Sequence, residues 1–273
     1  NPYYAIVPNA EPEHMETYNH NLEEFYSAYD AFLQLAKKRV INIQDTYLQN
    51  VNLQATKLNP KHDICDITYM IDNGEPYTRF TLKNVGTFQV YGFGEHIALN
   101  ASLAILCALD EGKDTAQIAT NLRNFKGIKK RFDILQKGAT TIIDDYAHHP
   151  TEILATLKSA QIYANLSGLH RIIAIWQPHK YSRLVENLQS FKTCFDLCDE
   201  LVILPVWRAG EKEIAIDLPA EFAHYKPTFA THIKKENQGI ALYNDTHKLR
   251  DLQNALIIGL GAGDITYQLR GEK

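Results

Sequence analysis

Four short runs of almost continuous apolar residues recur through the second half of this 273-residue chain. They are TTII at 140–143, RIIAIW at 171–176, LVILPV at 201–206 and ALIIGL at 255–260. Helical patterns follow the first three runs, at residues 151–166, 182–200 and 217–225. Apolar strands separated by amphipathic helices are typical of a parallel sheet that is covered on both faces. The second half is therefore predicted to be an α/β domain built on a mostly parallel sheet.

The first half of the chain has a mixed pattern. YYAIV at 3–7 indicates a strand, and residues 65–91 indicate hairpins whose turns lie at the DNG and KNVG sequences. Helical patterns cover residues 21–38, 96–112 and 114–125. The change of pattern near Gly127 predicts two domains, residues 1–127 and residues 128–273.

Composition excludes several classes of partner. The formal net charge of −4 is dispersed and lysine and arginine form no dense stripe, so nucleic acid is not an expected partner. The four cysteines include no CxxC pair, which fits a reducing compartment, and Cys194 and Cys198 are expected to be packed rather than to bind metal. No apolar run is long enough to span a membrane and no signal peptide is evident. We expect a cytoplasmic protein without a membrane partner, with self-association left open. Because a strand pattern begins at residue 3 without an initiator methionine, we also expect a fragment.

Unusual loops follow each of the four apolar runs. These carboxyl-edge loops are DDYAHHP (144–150), QPHKYSR (177–183), VWRAGE (206–211) and GAGD (261–264). Since the carboxyl ends of parallel strands meet at one sheet edge, the loops are expected to converge there. His179, Lys180, Arg183 and Arg208 would supply positive charge, and arginine suits two-point contacts with carboxylate or phosphate. The loops predict a site for anions, although QPHKYSR could instead be a solvated loop that caps a helix.

The stretch TTIIDDYAHHPTEI, residues 140–153, leaves three interpretations open. Asp144, Asp145, His148 and His149 could form a metal cluster, an acid/base pair or the start of a helix. His149-Pro150-Thr151 is typical of a helix start, because proline has a fixed φ and lacks an N–H.

Neither of two common nucleotide-binding motifs is supported by the sequence. GLGAGD at 259–264 resembles a dinucleotide fingerprint, but only nine residues follow it, too few for the rest of that motif. It is therefore interpreted as a tight turn beneath the site. A P-loop of the form GxxxxGK[ST], zinc-ligand spacing and a Ser-His-Asp arrangement are all absent from the sequence.

Seven segments, taken in chain order, resemble the Mur ligases of bacterial cell-wall synthesis. They are AIVPNAEPEHMETY, GEHIALNASLAI, FKGIKKRFD, IIDDYAHHPTEI, WQPHKYSR, ILPVWRAGE and GAGDI. The resemblance implies that residues 1–127 are the C-terminal part of a central ATP-binding domain. Residues 128–273 would then be a Rossmann-like C-terminal domain. The family's UDP-binding domain and P-loop segment are not among the matching pieces.

The alanine-adding branch of the family is the most similar, by its PVWRAGE segment and the glutamate of HHPTE. Such a ligase would use ATP and Mg²⁺ to join L-alanine to UDP-N-acetylmuramate through an acyl phosphate. Because that chemistry gathers negative charge, it needs cationic groups where the charge develops. Two alternatives stay open, a recycling ligase that adds a tripeptide to the same sugar nucleotide and a non-catalytic nucleotide- or partner-binding module.

The resemblance also implies roles for residues in the first half. His14 matches a catalytic histidine at the magnesium site, although its context alone, a lone histidine after a strand, favours a packing or capping role. Asn100 matches an asparagine that contacts adenine, and Ile97 replaces its usual companion. Tyr29 stands where other members carry a carbamylated lysine.

In the second half, the resemblance assigns Arg131 to the ATP phosphates and to catalysis, and Asp145 to the nucleotide. His148 would be a catalytic residue beside the incoming amino acid. The substrate and the phosphorylated intermediate would contact His179, Lys180 and Arg183. Asp144 would orient its loop, and His149-Pro150 would begin a helix.

Overall fold

The computed structural model describes residues 1–272 and divides into two compact units. Residues 1–70 and 77–126 form the first unit, and residues 71–76 group with the chain from residue 127 onward in the second. Throughout residues 1–272, every helix is too short or too polar to cross a membrane.

Two small sheets and their helices build the first unit. One sheet is parallel with the order β1-β2-β3, and the other has the order β4-β5-β6 with β5 and β6 antiparallel. The predicted first strand and the predicted hairpin region are confirmed. Strands are β1 Tyr4–Val7, β2 Lys38–Asn42, β3 Thr56–Leu58, β4 Ile64–Asp72, β5 Glu75–Leu82 and β6 Gly86–Tyr91. Helices are α1 Leu22–Leu35, α2 Pro60–Asp63, α3 Glu95–Asp110 and α4 Thr115–Asn124.

Helix α1 shows how local chemistry sets these bounds. The Asn21 side chain accepts hydrogen bonds from the backbone N–H groups of Glu23 and Glu24, as an N-cap should. The helix ends at Leu35 because Lys38 already pairs with Tyr4 in the parallel sheet. The predicted end at residue 38 was therefore three residues too late.

A six-stranded sheet with the order β11-β10-β9-β15-β8-β7 organises the second unit. All of its neighbouring pairs are parallel except β7 and β8, so the predicted mostly parallel sheet is confirmed. The central strands β8, β9 and β15 are buried along their whole length, which explains why β9 and β15 are continuously apolar and why β8 is apolar at Ile142 and Ile143, before its two terminal aspartates. The sheet strands are β7 Asp133–Gln136, β8 Thr141–Asp145, β9 Ile172–Trp176, β10 Glu200–Ile203, β11 Thr228–Phe229 and β15 Leu256–Leu260.

A second, antiparallel sheet in this unit was missed by the sequence analysis. Its strands are β12 His232–Glu236, β13 Gly239–Asn244 and β14 His247–Leu252. Charged residues occupy much of β12 and β14, which made the segment resemble a loop. Its apolar residues, including Ile233, Leu242 and Leu252, pack into the same core as the six-stranded sheet.

The helix predicted over residues 182–200 is wrong as a single element. The structure has two short helices, α6 Tyr181–Glu186 and α7 Leu188–Phe191, followed by turns. Asn187 separates them with a non-helical backbone, and its side chain donates to the carbonyl of Arg183. The rings of Phe191, Phe195 and Phe222 pack on the buried Trp176. The remaining helices are α5 Pro150–Ser167, α8 Leu218–Glu221 and α9 Ile265–Arg270.

The two cysteines in this segment are free thiols, as expected from their packing. Cys194 is buried and Cys198 is half-buried. Their thiols donate to the carbonyls of Phe191 and Phe195, respectively. Burial raises the pKa of the Cys198 thiol to about 12 and that of Cys194 further, so neither is a reactive thiolate.

Candidate functional site

The four carboxyl-edge loops converge as predicted, because β8, β9, β10 and β15 run parallel in one sheet. The backbone N–H of Trp207 donates to the carbonyl of Pro178 at 2.7 Å, and that of Lys180 donates to the carbonyl of Trp207 at 2.9 Å. The N–H of Gly261 donates to the carbonyl of Asp145 at 3.2 Å. These bonds link neighbouring loops directly.

Asp144 and Asp145 at the end of β8 have different partners, in keeping with the alternation of side chains along a strand. Asp144 is fully buried, and its Oδ2 accepts from the hydroxyl of Thr266 at 2.6 Å and from Nη2 of Arg270 at 2.8 Å. Asp133 also accepts from Arg270, at 2.6 Å. Asp144 therefore anchors α9 to the sheet, whereas the sequence analysis expected it to orient its own loop.

Asp145 is 5% exposed, and each carboxylate oxygen accepts a backbone hydrogen bond. Oδ2 accepts from the N–H of Phe132 at 2.7 Å, and Oδ1 accepts from that of Ala147 at 2.8 Å. Burial raises the pKa of Asp145 to about 6, although these two bonds and the charge of Arg131 act in the opposite direction.

Arg131 lies in the turn before β7 and projects towards solvent, with its side chain 56% exposed. Its guanidinium carbon is 5.5 Å from the centroid of the Tyr146 ring. Its Nη1 lies 3.4 Å from Oε1 of Glu152. Residues Lys130 and Phe132 on either side both have left-handed φ angles, 63° and 48°.

The predicted helix start at His149-Pro150 is confirmed. Pro150 is the first residue of α5 and His149 is the N-cap. Oε2 of Glu152 accepts from the backbone N–H groups of His148 and His149 at 3.1 and 3.3 Å, which satisfies two donors near the helix start. Burial alone would raise the pKa of Glu152, but these N–H groups and the charges of His148 and Arg131 lower it instead.

The contacts of His148 define its neutral tautomer. Nδ1 lies 2.9 Å from the carbonyl oxygen of Tyr146 and 3.4 Å from Oε2 of Glu152. Both partners are acceptors, so Nδ1 must carry the proton. The lone pair of the neutral ring is then on Nε2.

His179 has the opposite tautomer. Its Nδ1 lies 3.0 Å from Nη1 of Arg183, and a guanidinium can only donate. Nδ1 therefore accepts, and Nε2 of the neutral ring carries the proton. Burial lowers the pKa of His179 to about 4, and the charges of Arg183, His148 and Lys180 add to the effect. The two histidine rings lie 5.7 Å apart in an edge arrangement, so one offers a lone pair and the other an N–H donor.

Lys180 and Arg183 are held in different ways. Lys180 precedes α6 with φ 65° and ψ 137°, an uncommon conformation for a residue with a side chain. Arg183 is only 7% exposed, and its Nη1 also donates to the carbonyl of His179 at 3.3 Å. Arg208, expected to add positive charge to the site, forms an ion pair with Glu213 in its own loop.

The GAGD loop is a tight turn, as predicted, and α9 follows it directly. The side chain of Gln177 donates to Asp264 at 2.6 Å and accepts from the backbone N–H of Ile265 at 3.1 Å. A Cβ on Gly263 would lie 2.3 Å from Oε1 of Gln177 and 2.7 Å from Cγ of Trp207. Only glycine therefore fits this position.

Two glutamates that organise the loops were not assigned any such role from the sequence. Glu152 connects Arg131 to the backbone before α5, as described above. Glu211 accepts from the backbone N–H and the hydroxyl of Ser182 at 3.0 and 2.6 Å. Burial would raise the pKa of Glu211, but the bonds from Ser182 and Tyr181 lower it. For Glu152, the sequence did contain one signal of this role, because a glutamate three residues after an N-cap residue is typical of a capping box.

The two site residues predicted in the first unit are both exposed. His14 has φ 55° and precedes a short 3₁₀ helix, Met15–Tyr18, and its ring nitrogens lie 3.8 Å from Glu13 and 3.4 Å from Glu16. Asn100 lies on the exposed side of α3. Within residues 1–272, no group of three or more His, Cys, Asp or Glu side chains could hold a metal ion. The metal cluster left open for DDYAHHP is therefore not found among the described residues.

Comparison with known proteins agrees with this geometry. Residues 130–251 match the family described as Mur ligase, glutamate ligase domain. A UDP-N-acetylmuramate–L-alanine ligase of Helicobacter pylori is 57% identical over 274 residues, covering 100% of this chain and 61% of that protein. The ligase of the same name from Campylobacter curvus is 51% identical over 272 residues, covering 99% of this chain and 62% of that protein. The chain thus spans about three fifths of the length of these curated relatives.

Solved structures show the same fold. The UDP-N-acetylmuramate–alanine ligase of Thermotoga maritima superposes with a TM-score of 0.71 at 23% identity, covering 98% of this chain and 58% of that one. A MurF ligase of the same organism, solved with ADP, superposes with a TM-score of 0.65 at 13% identity, covering 98% and 60%. The fold, the matched domain and the identity along the full chain agree, and residues 130–251 of this chain belong to the Mur ligase family of C-terminal domains.

Proposed function

We propose that this chain forms part of an ATP-dependent ligase that joins L-alanine to UDP-N-acetylmuramate. The observation that carries the proposal is the 57% identity, over all of this chain, with a curated ligase of that name. The two histidines of opposite tautomer, set beside Lys180 and Arg183 at one sheet edge, support it. We also propose the cytoplasm as the location, and UDP-N-acetylmuramate and L-alanine as the partners.

The proposed reaction has two steps. The γ-phosphoryl group of ATP passes to an oxygen of the substrate carboxylate, which forms an acyl phosphate and releases ADP. The amine of alanine then attacks the acyl carbon and inorganic phosphate leaves. We assign Arg131 to the ATP phosphates, where an exposed guanidinium can stabilise the transferring charge. Asn100 is a further proposed contact of the nucleotide.

The second step requires a proton acceptor. An amino acid at neutral pH carries an ammonium group, which must lose a proton before it can attack. The lone pair on Nε2 of His148 makes that residue the proposed acceptor. Nε2–H of His179, together with Lys180 and Arg183, offers donors for the carboxylate of alanine and for the oxygens of the intermediate.

Mg²⁺ enters the proposal only through His14, the one residue that the resemblance connects with it. Magnesium prefers oxygen ligands and keeps several waters, so a single exposed histidine does not make a site. No step is assigned to the ion. ATP phosphates and residues outside this chain would have to supply the remaining ligands.

A chimera tests the proposal. The chain is joined, in the relative's own order, to the part of the Helicobacter pylori ligase that it does not match, and phosphate release is measured with UDP-N-acetylmuramate and ATP. We expect release that depends on L-alanine and a product whose mass equals the sugar nucleotide plus alanine minus water. Release with a tripeptide but not with alanine would favour the recycling ligase. Nucleotide binding without either product would favour a binding module.

A further inference from the structure

The turn that carries Arg131 has a backbone that most residues avoid. Lys130 and Phe132 both adopt left-handed φ angles, 63° and 48°. Such angles are uncommon for residues with a Cβ and are outliers for a bulky aromatic residue. A conformation of this kind persists only where surrounding groups hold it in place.

The last residue of β8 and the residue after it hold this turn. Oδ2 of Asp145 accepts from the N–H of Phe132 at 2.7 Å. The N–H of Tyr146 donates to the carbonyl of Lys130 at 2.8 Å. These two bonds fix the backbone on both sides of Arg131. The N–H of Lys130 also donates to Asp133, at a longer 3.4 Å.

The side chain of Arg131 has no comparable support within the part of the chain that the structure describes. It is largely exposed, and its contacts are the 3.4 Å approach to Glu152 and the Tyr146 ring. Exposed pairs of this kind contribute little to holding a side chain. The direction in which the guanidinium projects is therefore set mainly by the backbone turn.

Asp145 also connects the turn to the histidine loop. Its second oxygen accepts from the N–H of Ala147, the residue before His148. One carboxylate thus binds the Arg131 turn and the His148 loop at the same time. Both oxygens of Asp145 are occupied by backbone donors, and only 5% of the residue is exposed. Asp145 is therefore placed to hold the backbone of the Arg131 turn and of the His148 loop.

We infer that Asp145 is a positioning residue that holds the strained Arg131 turn against the His148 loop, so that it acts on ATP through Arg131. The inference rests on the proposed function only in assigning Arg131 to the ATP phosphates. It departs from the sequence-based expectation that Asp145 contacts the nucleotide directly.

A double-mutant cycle in the chimera separates the two roles. The Asp145→Asn substitution keeps the shape of the side chain but leaves one acceptor oxygen instead of two, so one backbone N–H loses its partner. We expect Asp145→Asn and Arg131→Ala each to raise the KM for ATP at least about tenfold, the cost of one charge-assisted hydrogen bond. The double variant should be no more than about twofold worse than Arg131→Ala alone. The KM for alanine should change much less. If the rise in the KM for ATP in the double variant equals the product of the two single rises, the inference is overturned. Such a result would mean that Asp145 contacts the nucleotide independently of Arg131.

The matched control is Asp199→Asn. Asp199 also accepts a backbone hydrogen bond, from the N–H of Ile172 at 2.7 Å, but it lies before β10, away from the carboxyl-edge loops. This variant should leave both KM values unchanged. If the unmutated chimera fails to use alanine, the proposed function fails, and the inference is then decided on the chain alone.

The 273-residue chain allows that decision by NMR, without enzyme activity. In the unmutated chain, the Phe132 amide should exchange with solvent at least about a hundredfold more slowly than an unprotected amide. Asp145→Asn should speed its exchange at least about tenfold, the cost of one hydrogen bond to a charged acceptor, while Asp199→Asn should not. An unprotected Phe132 amide in the unmutated chain, or protection that does not depend on Asp145, would overturn the inference.

Discussion

Nη1 of Arg183 donates to Nδ1 of His179 across 3.0 Å, and this contact fixes which nitrogen of the histidine carries the proton. We expect ¹⁵N NMR of the chain to show Nδ1 of His179 unprotonated and Nε2 protonated at neutral pH. The ring should stay neutral until the pH approaches about 4, because burial and then the charge of Arg183 lower the pKa.

The same contact predicts the direction of a pH effect on stability. Since the folded-state pKa of about 4 lies below the ordinary histidine value of 6.5, the unfolded chain binds more protons between these pH values. The free energy of unfolding should therefore decrease, through His179, as the pH falls from 6.5 towards 4. Above pH 6.5 His179 should have no such effect. The His179→Gln variant should show a smaller loss of melting temperature on acidification. A ring that titrates near the ordinary value would contradict the assignment.

Arg183→Lys tests the proposed contact with the carboxylate of alanine. Lysine keeps the charge but loses the planar fork that orients a carboxylate. Loss of a charge-assisted hydrogen bond costs about 1.5–3 kcal/mol, or roughly ten- to a hundredfold. We expect the KM for alanine to rise by that factor in the chimera, with little change in the KM for ATP. Because Arg183 is buried against His179, an equal change in both constants would instead indicate that it supports the loop.

Arg270→Ala tests the anchor of α9. The substitution leaves the buried carboxylate of Asp144 without its cationic partner, and breaking such a pair costs about 3 kcal/mol or more. Chemical denaturation should show that loss in the free energy of unfolding. The matched control is Arg208→Ala, which removes an exposed ion pair with Glu213 and should cost no more than about 1 kcal/mol. Similar losses in both variants would mean that the Asp144 pair is not important for stability.

His14→Ala tests the proposed link to magnesium. Substitution of groups that merely support metal ligands lowers affinity or activity about ten- to a hundredfold, so loss of a ligand should cost at least as much. Turnover of the chimera should fall by that factor while its melting temperature stays nearly constant, because His14 is exposed. His20→Ala is the control, since His20 shares the left-handed backbone, with φ 54°. Lower stability with normal turnover would support a packing role.

The 273-residue chain by itself should not release phosphate in the presence of alanine, ATP and UDP-N-acetylmuramate. The sequence has no GxxxxGK[ST] loop to hold the β- and γ-phosphates. Binding of ATP should be weak for the same reason, and calorimetry can measure it. Activity of the chain alone would show that the catalytic centre has been placed wrongly.

The sequence allowed the parallel sheet and the convergence of its loops to be predicted, because strands that are buried on both faces are rich in consecutive apolar residues. Predictions from the sequence were wrong where contacts with distant parts of the chain determine the secondary structure or the backbone conformation. Charged residues in β12 and β14 hid the antiparallel sheet, and the helical pattern over residues 182–200 did not reveal the break at Asn187, whose side chain donates to the carbonyl of Arg183. The left-handed backbone of Lys130 and Phe132 could not be read from KKRFD, because Asp145 and Tyr146 impose it from elsewhere in the chain.

Strand β15 occupies the middle of the six-stranded sheet, between β8 and β9, although it follows all the other described strands in the chain. While the ribosome synthesises the protein, β15 is made after β8 and β9. Until β15 pairs with them, the facing edges of these two apolar strands stay exposed. Folding of the second unit is bound to finish late, since the pairing that completes it spans more than a hundred residues of sequence. A nascent or truncated chain that ends before Leu256 would present two open edges for aggregation, and such a chain would depend on chaperones until β15 arrives.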